Sequence, residues 1–163
     1  MLKFADYDIV FQEVPGEVTL ALNISNCPNN CPGCHSAYLM NDVGMPLTED
    51  ALDDLFAKYG KSITCVCFMG GDREPLEIQK CALYVKQHTT CKTAWYSGRD
   101  CIPDHFSIQS LDFIKLGPYI ESLGGLDSPT TNQHFYKISA DGNLEDWTYK
   151  FRKENKCFSN SYI

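Results

Sequence analysis

The sequence predicts an α/β fold built on a curved or partly closed parallel sheet, and three observations carry that expectation. Short apolar runs of strand character alternate with stretches of helical period, the pattern of linked βαβ units. The apolar runs after the first helical stretch stop at glycine, serine or proline, residues that end strands. The chain has 163 residues, whereas a complete eight-fold barrel takes about 250. A partial, incomplete parallel β/α barrel is therefore expected, in a single domain spanning residues 1–163.

Glu17 to Ile24 (EVTLALNI) alternates as a half-buried strand should, and a turn-rich loop from Ser25 to His35 follows it. Thr48 suits a helix N-cap, because Leu52, Leu55, Phe56 and Tyr59 then recur at i, i+3, i+4 and i+7 before Gly60 stops the run. Ile63 to Met69 is a short continuous apolar run, the mark of a strand buried on both faces, and Gly70-Gly71 close it. Pro75 to His88 reads as a second helix with proline in its first turn. Thr93 to Tyr96 and Asp112 to Leu116 read as further buried strands, closed by Ser97-Gly98 and Gly117-Pro118. Asn132 to Ile138 is the expected last strand, and residues 139–163 carry no clear period. In parallel α/β folds the C-terminal strand ends share one face, where active sites form. The Ser25–His35 loop, Gly70-Gly71-Asp72, Ser97-Gly98 and Lys115-Leu116-Gly117 should therefore meet at one mouth.

Composition narrows the class. Fourteen Lys and Arg against 21 Asp and Glu give a formal net charge of −7, without the basic face that nucleic acid requires. The apolar content of 44% is ordinary for a folded chain and excludes disorder. Every apolar run is too short for a membrane span, and Asp6 and Asp8 interrupt any signal-peptide core. A soluble, cytoplasmic protein is expected, with neither nucleic acid nor membrane as partner.

Nine cysteines are unusual for such a chain, and in a reducing compartment they should be thiols. Cys65, Cys67, Cys81, Cys91, Cys101 and Cys157 are dispersed and read as core or incidental. Cys27, Cys31 and Cys34 instead form a C-x3-C-x2-C cluster that could reach a single inorganic centre. Cys31 to His35 also matches the c-type haem attachment pattern, but that leaves Cys27 unexplained. Zinc on the three cysteines and His35 would need adjacent Cys34 and His35 as ligands. A [4Fe–4S] cluster with one iron left open is the favoured reading.

These residues resemble the radical S-adenosylmethionine (radical SAM) superfamily, whose signature is C-x3-C-x2-C after the first strands of a βα sheet. Gly70-Gly71-Asp72 is similar to that superfamily's G-G-E motif, with Asp in place of Glu. The C-P-G-C form resembles the small activating enzymes of anaerobic (class III) ribonucleotide reductase. Trp95-Tyr96-Ser97-Gly98, Asp112 to Tyr119 and Thr131-Asn132-Gln133 look like the same branch. The likeness covers roughly residues 2–138.

The resemblance implies a partial barrel of the radical SAM type, with Cys27, Cys31 and Cys34 holding a [4Fe–4S] cluster. It implies S-adenosylmethionine as second cofactor, near Gly70, Gly71, Asp72, Ser97 and Lys115. The implied activity is that of an oxidoreductase making a 5′-deoxyadenosyl radical and installing a glycyl radical on anaerobic ribonucleotide reductase. The implied partners are that reductase and a one-electron donor such as a flavodoxin, and no acid–base pair is needed. Simpler readings stand beside these: Gly70-Gly71 and Ser97-Gly98 as plain strand-ending turns, Lys115 as a solvated strand end, Asn132 and Gln133 as turn formers. Two other functions remain open, namely a radical SAM enzyme with a different substrate and a non-catalytic electron-transfer or zinc-binding module.

Overall fold

The computed structural model describes residues 1–153. Its strands are β1 (Lys3–Val10), β2 (Thr19–Ile24), β3 (Met45–Pro46), β4 (Cys65–Met69), β5 (Lys92–Tyr96), β6 (Phe113–Leu116), β7 (His134–Ile138) and β8 (Leu144–Asp146), and its α-helices are α1 (Glu49–Tyr59) and α2 (Pro75–His88). All eight strands join one sheet in the order β3-β1-β2-β4-β5-β6-β7-β8. Only the central four, β2-β4-β5-β6, run parallel. The outer pairs on both sides are antiparallel.

This corrects the expected partial parallel β/α barrel. The described chain forms a mixed, open sheet with two α-helices, not a repeating β/α unit. The reason lies in the connections. A parallel return needs a crossover of a dozen or more residues, usually a helix, whereas an antiparallel return needs only a turn. The short loop between β1 and β2 makes them a hairpin, and β7 pairs antiparallel with β6 after an irregular segment that has no α-helix. The apolar pattern of residues 132–138 marks a strand but carries no direction. Strand β1 escaped the sequence reading because Asp6 and Asp8 break its apolar run; both point to its exposed face.

Local signals work as physics dictates. The Thr48 hydroxyl accepts a hydrogen bond from Ala51 N–H and caps α1, whose Leu52 and Leu55 are buried. Pro75 opens α2, which buries Ile78, Ala82 and Val85 on the sheet. Leu20, Leu22, Ile24, Val66, Phe68, Trp95 and Ile114 are fully buried on the helix-covered side, each worth roughly 1.5–3 kcal/mol for the larger side chains. The opposite face has its own core, in which Cys65, Cys67, Phe113 and Phe135 pack under Val14, Trp147 and Phe151. Cys65 and Cys67 are thus core residues, and burial pushes both thiols far above their ordinary range. Cys91 is buried, Cys81 half-buried and Cys101 exposed, while Cys157 lies outside the described residues. No helix among the described residues is long and apolar enough to cross a membrane.

Candidate ligand pocket at the strand ends

The ends of β2, β4, β5 and β6 open into one pocket of about 200 Å³. Cys27, Cys31, Cys34, Asp72 and Lys115 line it, with apolar wall from Ile24, Leu39, Met40, Met69 and Tyr119. A larger groove of about 550 Å³ lies on the other side of Tyr96, bordered by Phe11, Glu13 and Lys150. The smaller pocket is the candidate site, because the four parallel strand ends converge there and it holds the buried charges.

The floor is set by the turn after β4. Gly70 and Gly71 sit at φ +97° and +91°, a region closed to most side chains. Gly70 N–H donates to the Tyr96 carbonyl at 2.9 Å, and the Gly70 carbonyl accepts from the Trp95 indole N–H at 2.7 Å. A Cβ on Gly71 would lie 2.5 Å from Ile78 Cδ1, so this glycine serves the close approach of α2. Gly70 faces the pocket and Gly71 faces the helix.

Asp72 follows, with 3% of its surface exposed. Its carboxylate accepts from Ser97 Oγ at 2.6 Å, Gly98 N–H at 2.9 Å and Asn29 Nδ2 at 2.5 Å. One buried acid therefore ties the cysteine loop to the ends of β4 and β5. Ser97 is fully buried behind the wall and orients Asp72 without lining the pocket. Asn29 was missed in the sequence, where it reads as an ordinary turn residue; its partner, the buried Asp72, is distant in sequence.

Lys115 is not a solvated strand end. It is 8% exposed, and its ammonium donates to the Ser97 carbonyl at 3.1 Å and the Gly117 carbonyl at 2.7 Å. Burial pulls its pKa down to about 8, outweighing the upward pull of Asp72, Cys31, Cys34 and Cys27. The Tyr96 ring lies 5.9 Å from Nζ. Gln133 completes the wall, and it and Asn132 both donate to the Pro118 carbonyl. His35 packs on Tyr119 with ring centroids 5.0 Å apart.

The cysteine loop is held by backbone bonds from Asn26 N–H to Asn41 O and from Cys27 N–H to Leu39 O. Left-handed φ values at Asn26, Asn30 and Gly33 turn it repeatedly. The three thiols are half-buried along one wall, and burial raises that of Cys27. Among the described residues no group of three or more His, Cys, Asp or Glu is placed to hold a metal ion. Cys27, Cys31 and Cys34 therefore do not fit the implied cluster, and a zinc site fails by the same finding.

No family model, curated protein or solved structure matches the chain. With the open mixed sheet and the lack of a metal-holding group, this overturns membership of the radical SAM superfamily. The [4Fe–4S] cluster and S-adenosylmethionine as cofactors go with it. So do the radical oxidoreductase activity and the installation of a glycyl radical on anaerobic ribonucleotide reductase.

Proposed function

We propose that this chain binds a small organic monoanion, a carboxylate on an apolar body, in the pocket at the strand ends. The single observation behind this is Lys115. It is a buried cation on the pocket wall that forms no ion pair among the described residues. An ammonium carries three donors, and two are spent on the Ser97 and Gly117 carbonyls. The third is available to a ligand. Asp72 pulls on this charge without pairing with it directly, and burial still outweighs that pull, so an anion arriving at the ammonium relieves a penalty already present.

The rest of the wall defines the ligand. Ile24, Leu39, Met40, Met69 and Tyr119 favour an apolar body. A volume of about 200 Å³ falls below the roughly 300–1,000 Å³ of drug-sized sites, so the ligand is small. Asp72 already accepts from three donors and acts as a brace, and its charge disfavours a second negative charge on the ligand. Calorimetry with a series of aliphatic and aromatic monocarboxylates and their primary amides tests the reading. A charge-assisted hydrogen bond is worth about 1.5–3 kcal/mol, so carboxylates should bind roughly 10- to 100-fold tighter than the amides, and Lys115→Met should remove the difference. Equal binding of acid and amide refutes it.

A further inference from the structure

Cys31-Pro32-Gly33-Cys34 is one closed turn at the mouth of the pocket. Cys34 N–H donates to the Cys31 carbonyl at 3.2 Å, the bond that closes a four-residue β-turn. Pro32 stands at its second position and Gly33, with φ +74°, at its third. A type II turn asks for those residues in those places, since the third position needs φ of about +80°. In a β-turn the first and last Cα atoms lie within about 7 Å, and a disulfide spans about 4.4–6.8 Å between Cα atoms. The backbone therefore already holds the two cysteines near bridging distance. Both side chains are half-buried on the pocket wall and reachable from outside. The other thiols are placed differently: Cys27 is anchored to Leu39 by its own backbone, and Cys65 and Cys67 are sealed in the sheet.

We propose that Cys31 and Cys34 form a redox-active dithiol that closes to a disulfide by exchange with small-molecule disulfides. The thiolate of one cysteine attacks a sulfur of the reagent R–S–S–R, forming a mixed disulfide and releasing one R–S⁻. The second cysteine, as thiolate, then attacks the protein sulfur of that mixed disulfide and releases the other R–S⁻. One protein S–S bond forms and one reagent S–S bond breaks. The dithiol loses two electrons to the reagent, and its two protons end on the two released thiols. The proline and the left-handed glycine restrict the open chain, so closure is intramolecular and favoured over a lasting mixed disulfide. This inference is independent of the anion-binding proposal.

The test uses the full chain, reduced and then incubated with oxidised glutathione, alkylated, digested and mapped by mass spectrometry. The expected product is a peptide with an internal Cys31–Cys34 bridge and the loss of one pair of alkylatable thiols. Cys31→Ser and Cys34→Ser, which leave the turn backbone intact, should each accumulate a stable glutathione adduct on the remaining cysteine. Gly33→Val, incompatible with the turn, should bridge at least tenfold more slowly. Glutathione adducts on both wild-type cysteines without a bridge, or a bridge that includes Cys27, would overturn the proposal.

Discussion

Replacing Asp72 by Ala should strip the pocket of its brace, and its cost can be worked from the geometry. The carboxylate accepts three hydrogen bonds, from Ser97 Oγ, Gly98 N–H and Asn29 Nδ2. Bonds to a charged group contribute about 1.5–3 kcal/mol each, but such losses are not additive. Asn29 can turn to water once released, so its share is small. Ser97 is fully buried, and its hydroxyl, which also accepts from Arg99 N–H, loses its acceptor together with the Gly98 amide. Two stranded donors give a loss of about 3–5 kcal/mol, seen as a fall in Tm on the order of 10 °C for a chain of this size. Asp72→Asn keeps the shape but aims an amide N–H at a donor, and should cost about 1–3 kcal/mol. Urea unfolding would measure both, with the slope unchanged if only stability moves. A loss below about 1 kcal/mol for the alanine variant would show that the carboxylate does not hold the loop.

Three further outcomes follow from the same region. The Lys115 pKa falls from 10.5 in the free side chain to about 8 in the fold. Between those values the unfolded chain holds a proton that the folded chain lacks, so stability should rise with pH from about 8 to 10.5, by up to about 3 kcal/mol; urea midpoints across that range check it, with Lys115→Met showing less of the rise. Trp95→Phe removes the bond to the Gly70 carbonyl and leaves a void, and should lower stability by about 2 kcal/mol. Gly71→Val puts a β-branched residue at φ +91° with its Cβ against Ile78, and should cost at least about 3 kcal/mol, with Gly71→Ala in between; chemical denaturation of the three proteins orders them.

Much of this molecule could be read from its sequence, for reasons particular to each segment. Helices α1 and α2 were legible because their apolar spacing, the Thr48 cap and Pro75 are local signals. Strands β4 and β5 were legible because both faces are buried and the run is continuously apolar. Strand direction was not, since β7 carries the same pattern whether it pairs parallel or antiparallel to β6. The convergence of the cysteine loop, Gly70, Asp72 and Lys115 on one mouth followed from the parallel centre of the sheet, and the structure brings them together. The roles within that mouth did not follow. Gly71 serves the packing of α2, Ser97 props Asp72 from behind, and Asn29 meets Asp72 across 43 positions of sequence. The cysteine spacing suggested a metal centre because close spacing permits convergence, but spacing does not set where the thiols lie, and among the described residues no group of three or more such side chains is placed to hold a metal.

The central claim is that Lys115, in its charged form, receives an anion. Asp72, Cys27, Cys31, Cys34 and the Tyr96 ring face it, and burial sets its pKa at about 8. The charged fraction of such a group drops about tenfold between pH 7 and pH 9. Calorimetric titration of the best-binding monocarboxylate at those two pH values should therefore show an apparent Kd about tenfold weaker at pH 9, with its amide unaffected and Lys115→Met flat across the range. A carboxylate affinity that stays constant from pH 7 to pH 9, or that survives in Lys115→Met, would contradict the account.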